Sequence, residues 1–135
     1  MIEDLRAAGL ITTIPVADLD RAFSFYTDVL GFEHLQTSEA GVLLRARDGR
    51  VLLYSSSAAP PGHTLAGFEV DRLEPVIETL VARGVTFDDY DFPGLKTVDH
   101  IAWIGPERAA WFHDSEGNIL SISEPWRQPS DETAR

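Results

Sequence analysis

The second half of this 135-residue chain repeats the first at an offset of 53–54 residues, and that repeat restricts the folds open to it. Val16 maps onto Val70 and Gly31 onto Gly84. Self-similarity at a period of about 50 residues marks an architecture built from copies of one supersecondary unit. In the first copy, residues 10–16 form a β-branched run that reads as a strand, and Pro15 assigns it to a sheet edge or to the strand's end. Asp18 offers an N-cap. Leu19, Ala22, Phe23, Tyr26, Val29 and Leu30 follow at i, i+3, i+4, i+7 spacing, one stripe of a helix that Gly31 closes. Strands are expected at 32–37, 42–47 and 51–55, with Asp48-Gly49 as a hairpin turn. The Ser/Ala/Pro-rich stretch 55–62 is a linker.

The second copy opens with an alternating strand at 63–70. Asp71 and Glu74 have the spacing of a capping box, and Leu73, Val76, Ile77, Leu80 and Val81 make a second helical stripe ending at Gly84. Further strands are expected at 85–88, 108–113 and 119–124. Residues 90–106 are too long for a passive turn and suit a covering loop. The pattern predicts an α+β chain of one domain, 1–135. It holds two βαβββ modules at about 8–56 and 63–125, a linker at 57–62 and a tail at 126–135.

Composition narrows the functions. A hydrophobic fraction of 44% supplies a core, so wholesale disorder is excluded. Against 22 Asp and Glu stand 11 Lys and Arg, a net charge of −11 with no basic stripe, which argues against a nucleic-acid partner. The absence of cysteine removes disulfides, thiolate metal sites and a Cys nucleophile. No apolar run approaches the roughly 18 residues of a membrane span, and the start has no cationic segment leading into an apolar one. A soluble, cytoplasmic protein without a membrane partner is the expectation.

Residues 16–33 (VADLDRAFSFYTDVLGFE) resemble the opening of the vicinal oxygen chelate superfamily, which includes glyoxalase I, extradiol dioxygenases and bleomycin resistance proteins. Residues 111–122 (WFHDSEGNILSI) resemble its closing aromatic-x-Asp-Pro-Asp-Gly-Asn segment. The resemblance implies that the modules form a curved eight-strand cup. It also implies a homodimer, as in single-chain members of this size. Metal-dependent members hold their ion with four His, Gln or Glu ligands pointing into that cup. Counted from the motifs, the four positions here are Ile11, Leu53, Leu65 and Ser121, and the neighbours Thr12, Leu52, Thr64 and Ala66 are no better. Aliphatic side chains and a hydroxyl do not hold a divalent first-row ion, so no metal and no cofactor is expected.

Alternation along the strands extends this inward set. Thr13 joins Ile11, Val51 and Ser55 flank Leu53, and Ser123 joins Ser121. His63 shares a face with Leu65, as a general base, a displaced ligand or simply a strand-start histidine. Glu69 lies on the same face but about 20 Å along the strand, too far to chelate with His63. His100 and Trp103 sit in the long 90–106 segment, where stacking and a hydrogen bond to a ligand are possible. Either Trp111 or Phe112 faces inward. Trp126 suits a terminal anchor or dimer contact. The predicted site is therefore Ile11, Thr13, Leu53, Ser55, His63, Leu65, Trp103, Trp111, Ser121 and Ser123, apolar with a few hydroxyls. Such a lining suits metal-independent binding of an aromatic or drug-like molecule, with antibiotic sequestration as the nearest analogy. The rival expectation is a glyoxalase-like lyase or isomerase, or a dioxygenase-type enzyme, acting around His63 or His100.

Overall fold

A computed structural model describes residues 4–126, so the tail beyond Trp126 lies outside the described residues. The chain divides between Ala59 and Pro60 into two compact units. Both are mixed α+β, and their sheets have the same strand order.

In the first unit, β1 (Ile11–Val16), α1 (Leu19–Ser24), β2 (Glu33–Ser38), β3 (Gly41–Ala46) and β4 (Gly49–Ser55) form a sheet ordered β1-β4-β3-β2. β1 runs parallel to β4, which requires a crossover, and α1 supplies it. Asp18 caps that helix by accepting the Arg21 N–H at 3.0 Å, and Gly31 terminates the segment at φ 83°. The last turn, Phe25–Val29, is π-helical, with Leu30 N–H donating to the Phe25 carbonyl. The hairpin between β3 and β4 is displaced by one residue from the expected Asp-Gly turn. Ala46 pairs with Gly49, so Arg47-Asp48 is the loop, Arg47 takes φ 51°, and Gly49 opens β4.

In the second unit, β5 (Thr64–Glu69), α2 (Leu73–Ala82), β6 (Phe87–Asp88), β10 (Glu107–His113) and β11 (Ile119–Ser123) repeat that plan as β5-β11-β10-β6, again with the first and last strands parallel. The expected covering loop has structure of its own. β7 (Asp91–Phe92) and β8 (Leu95–Lys96) form a small hairpin, and β9 (Ala102–Ile104) adds to β10. The described residues thus hold eleven strands, of which eight make the two repeated sheets.

One face of each sheet is covered. In the first unit Ile14, Val16, Val42, Leu44, Val51 and Leu53 are buried with Ala22 and Tyr26 of the helical segment, and α1 packs on β3 and β4. In the second, Ala110, Phe112, Leu120 and Ile122 are buried with Leu73, Ile77 and Leu80 of α2. These are the residues that alternation assigns to one side, and their burial drives each half to close on its helix.

The capping box expected at the start of α2 does not form. Arg72 occupies the cap position without a side-chain cap, and the Leu73 N–H donates instead to Oε2 of Glu124, 51 residues away, at 2.9 Å. Glu74 turns to Arg108. The Arg108 guanidinium donates to Glu124 (2.9 and 2.6 Å) and to Glu74 (2.9 and 2.8 Å), bidentate to both. Glu124 is buried, so this triad ties the end of β11 to the start of α2. The hydrogen bond from Arg108 holds the Glu74 carboxyl at a pKa of about 2, and the two carboxylates, Glu124 foremost, raise that of Arg108.

Candidate functional site

The register decides which side chains reach the uncovered faces. In the first unit Ile14 pairs with Leu53, and Val42 pairs with Leu53 from the other side, so Leu53 belongs to the covered face and is fully buried. Ser55, paired with Val16, is on that same side. This corrects the expected grouping: Ile11 and Thr13 do not share a face with Leu53 and Ser55. Their cross-strand neighbours on the open face are Arg50 and Leu52, followed by Tyr54 opposite Pro15. The miscount arises because a period of two turns a one-residue error into the opposite face.

The second unit resolves the choice between Trp111 and Phe112. Phe112 pairs with Leu120 and Phe87 and packs under α2, while Trp111 pairs with Ser121, which in turn pairs with Gly67. Trp111 and Ser121 are therefore on the open face. Ser123, opposite Ala109 and Glu69, lies on it too, and Leu65 joins by alternation along β5. Gly67 keeps this floor low: a Cβ there would stand 2.8 Å from the Ser121 Oγ.

Over this floor the 90–106 segment folds back. Tyr90 meets Trp111 edge to face, with ring centroids 5.6 Å apart, and Leu95 and Ile119 pack against the same cluster. A recess of about 340 Å³ results, lined by Trp111, Tyr90, Leu95, Ile119 and the strand start Gly62-His63-Thr64. Burial, assisted by the charge of Asp88, raises the Tyr90 pKa, so its phenol remains a neutral donor. The His63 Nδ1 lies 3.1 Å from the Thr64 carbonyl, and the ring is exposed at the recess. Tyr90, Leu95 and Ile119 are absent from the expected set. Their only signal was the anomalous length of the segment that carries two of them.

Trp103 and His100 are elsewhere. Trp103 pairs with Arg108, on the side of the sheet that carries α2, and so does not share the face of Trp111. It lines, with His100, a larger groove of about 750 Å³ beside α2. His63 and His100 line different recesses and do not converge. His34 and His113 are likewise outside the recess: His34 Nε2 is 2.8 Å from the Thr37 hydroxyl, and His113 Nδ1 is 2.9 Å from an Asp88 oxygen. Trp126 is exposed, its Nε1–H donating to Glu107.

The donor set does not fit the ion that metal-dependent relatives of such folds hold. With the second position corrected to the open-face residues of β4, the candidates are Ile11, Leu52, Tyr54, Leu65 and Ser121, which include no imidazole or carboxylate. Among the described residues no three His, Cys, Asp or Glu side chains gather where they could hold a metal. No helix among them is long and apolar enough to cross a membrane.

Twice-repeated βαβββ units, each with its helix on one sheet face, define the class of fold. The chain belongs to the Glyoxalase/Bleomycin resistance protein/Dioxygenase superfamily, whose profile matches residues 10–122. A comparison with curated proteins finds no match. Among solved structures it is similar to the antibiotic binding protein TnmS3 of Streptomyces sp. CB03234. The two are 23% identical over 88% of this chain and 96% of that one, with a TM-score of 0.61. A lactoylglutathione lyase from Agrobacterium tumefaciens aligns at 20% identity over 90% and 96% of the chains, with a TM-score of 0.65. An integron cassette protein from the mobile metagenome of the Halifax Harbour sewage outfall gives 21% identity, coverage of 88% and 99%, and a TM-score of 0.65. At these identities the likeness is one of fold.

Proposed function

We propose that this protein binds a small planar organic molecule, without a metal, on the open face of its second unit. The observation that carries the reading is the recess at Trp111. An indole floors it, a phenol crosses that indole at 82°, and Gly67 and Ser121 leave a low, weakly polar shelf beside them. Aromatic walls bury ligand area at roughly 25 cal/mol per Å², and a few placed polar groups set orientation. Here those groups are the His63 ring, the Tyr90 phenol and the Ser121 hydroxyl. That a protein of this fold binds an antibiotic supports sequestration of a drug-like compound as the biological role.

The reading includes a homodimer. Ile11 and Tyr54 are more than a third exposed on the open face of the first unit, and a second copy would cover them. A monomeric mass by light scattering at micromolar concentration would refute that part.

The binding itself is tested with prodan, a planar neutral naphthalene dye whose emission shifts to the blue on burial. Wild-type protein should bind it saturably, and Trp111→Ala should lose at least about tenfold in affinity, the cost of truncating a stacking aromatic. Gly67→Val should weaken it similarly by filling the shelf. Metal analysis should find no stoichiometric ion, and chelator should leave binding unchanged. Equal binding by wild type and both variants, or loss of binding with chelator, would overturn the reading.

A further inference from the structure

The larger groove beside α2 is not used by this reading, and it has a chemistry of its own. We infer that it is a second ligand site, for a small organic cation with an aromatic body. Its apolar wall is formed by Trp103, Ile101 and the exposed Phe92. Two of its carboxylates, Glu78 and Asp99, have no hydrogen-bond or ion-pair partner among the described residues. Glu74 and Arg108 neutralise each other within the triad described above, and Arg108 answers Glu124 as well. Lys96 is the remaining cation, so negative groups are left in excess. The chain's net charge of −11 adds a field of the same sign.

Asp99 and His100 take positive φ, 52° and 73°, as the centre of a two-residue hairpin turn closed by reciprocal hydrogen bonds between Val98 and Ile101. The turn points His100 into the groove. Its ring lies 5.8 Å from that of Phe87, and its Nδ1 is 2.8 Å from an Asp89 oxygen. Two unpartnered carboxylates beside an indole select a ligand that brings donors, positive charge and a ring.

The probe is 2-phenylethylammonium, followed by the indole N–H resonance of Trp103 in two-dimensional NMR, with neutral 2-phenylethanol as the control. The resonance should shift saturably with the amine, and the alcohol should bind at least about fivefold more weakly. Glu78→Gln with Asp99→Asn should weaken the amine by about tenfold, the sum of two screened charge contacts. Both positions are exposed, and asparagine tolerates the left-handed backbone at 99, so the fold is retained. Trp111→Ala should leave the response intact, which separates this site from the recess. The inference is overturned if the alcohol binds as well as the amine, if the double variant binds within twofold of wild type, if the shifts centre on Trp111, or if no saturation occurs.

Discussion

Replacing Glu124 with glutamine should destabilise the second unit far more than replacing Glu74, although both carboxylates hold the same guanidinium. Glu124 is 5% exposed at its side chain and Glu74 is 46% exposed. A buried ion pair that loses one partner typically costs about 3–5 kcal/mol, because the remaining charge stays desolvated. Arg108 would keep Glu74, which puts the expected loss for Glu124→Gln near the lower end, about 3 kcal/mol. The glutamine can still accept from Leu73 through its carbonyl oxygen, so the loss reports the ion pair more than the helix cap. For Glu74→Gln the pair is half in water, and about 1 kcal/mol is expected. The assay is urea denaturation at pH 7 followed by far-ultraviolet circular dichroism. With a slope of about 1.5 kcal/mol per M, the midpoint should fall by about 2 M for Glu124→Gln and by well under 1 M for Glu74→Gln. Equal losses, or a loss below about 1 kcal/mol for Glu124→Gln, would refute the claim that burial makes this triad the clamp between β11 and α2.

Two further outcomes follow from the same geometry. Leu53→Ala should cost about 2–5 kcal/mol, and Leu52→Ala less than about 1, since only Leu53 is buried. Reversed magnitudes in thermal melts would mean the register of β4 is wrong. The Glu74 carboxyl, held near a pKa of 2 from an ordinary 4.5, stabilises the fold above pH 4.5, and that contribution fades as pH falls toward 2. Wild type should therefore lose its advantage over Glu74→Gln across that interval, and an advantage that persists at pH 2 would contradict the assignment.

The parts legible in the sequence were those encoded by neighbours. Helix starts and stops at Asp18, Gly31 and Gly84 need only local hydrogen bonding and a positive φ, and they stand where expected. Where a distant residue competes, local signals fail. The Asp71/Glu74 capping box is spaced correctly, yet a buried carboxylate 51 residues away takes the helix N–H and the partly buried Arg108 takes Glu74. The candidate site shows the same limit. His63 follows from strand alternation and Ser121 from a count along the closing motif, both local rules, whereas the choice of Trp111 over Phe112 needs the pairing of β10 with β11. Tyr90 and Leu95 entered only because the 90–106 segment forms a hairpin that returns over Trp111.

By itself, then, the sequence determined the doubled βαβββ plan, the family and the donor-poor residue types at the ligand positions, because periodicity, caps and side-chain chemistry are properties of the chain alone. Tertiary structure decided which side chains share a face and which share a recess. Leu53 went to the core, Phe112 went under α2, and Trp103 and Trp111 went to opposite sides of one sheet. Those outcomes depend on strand register and on how a loop returns, and both are set by burial summed over residues far apart in the chain.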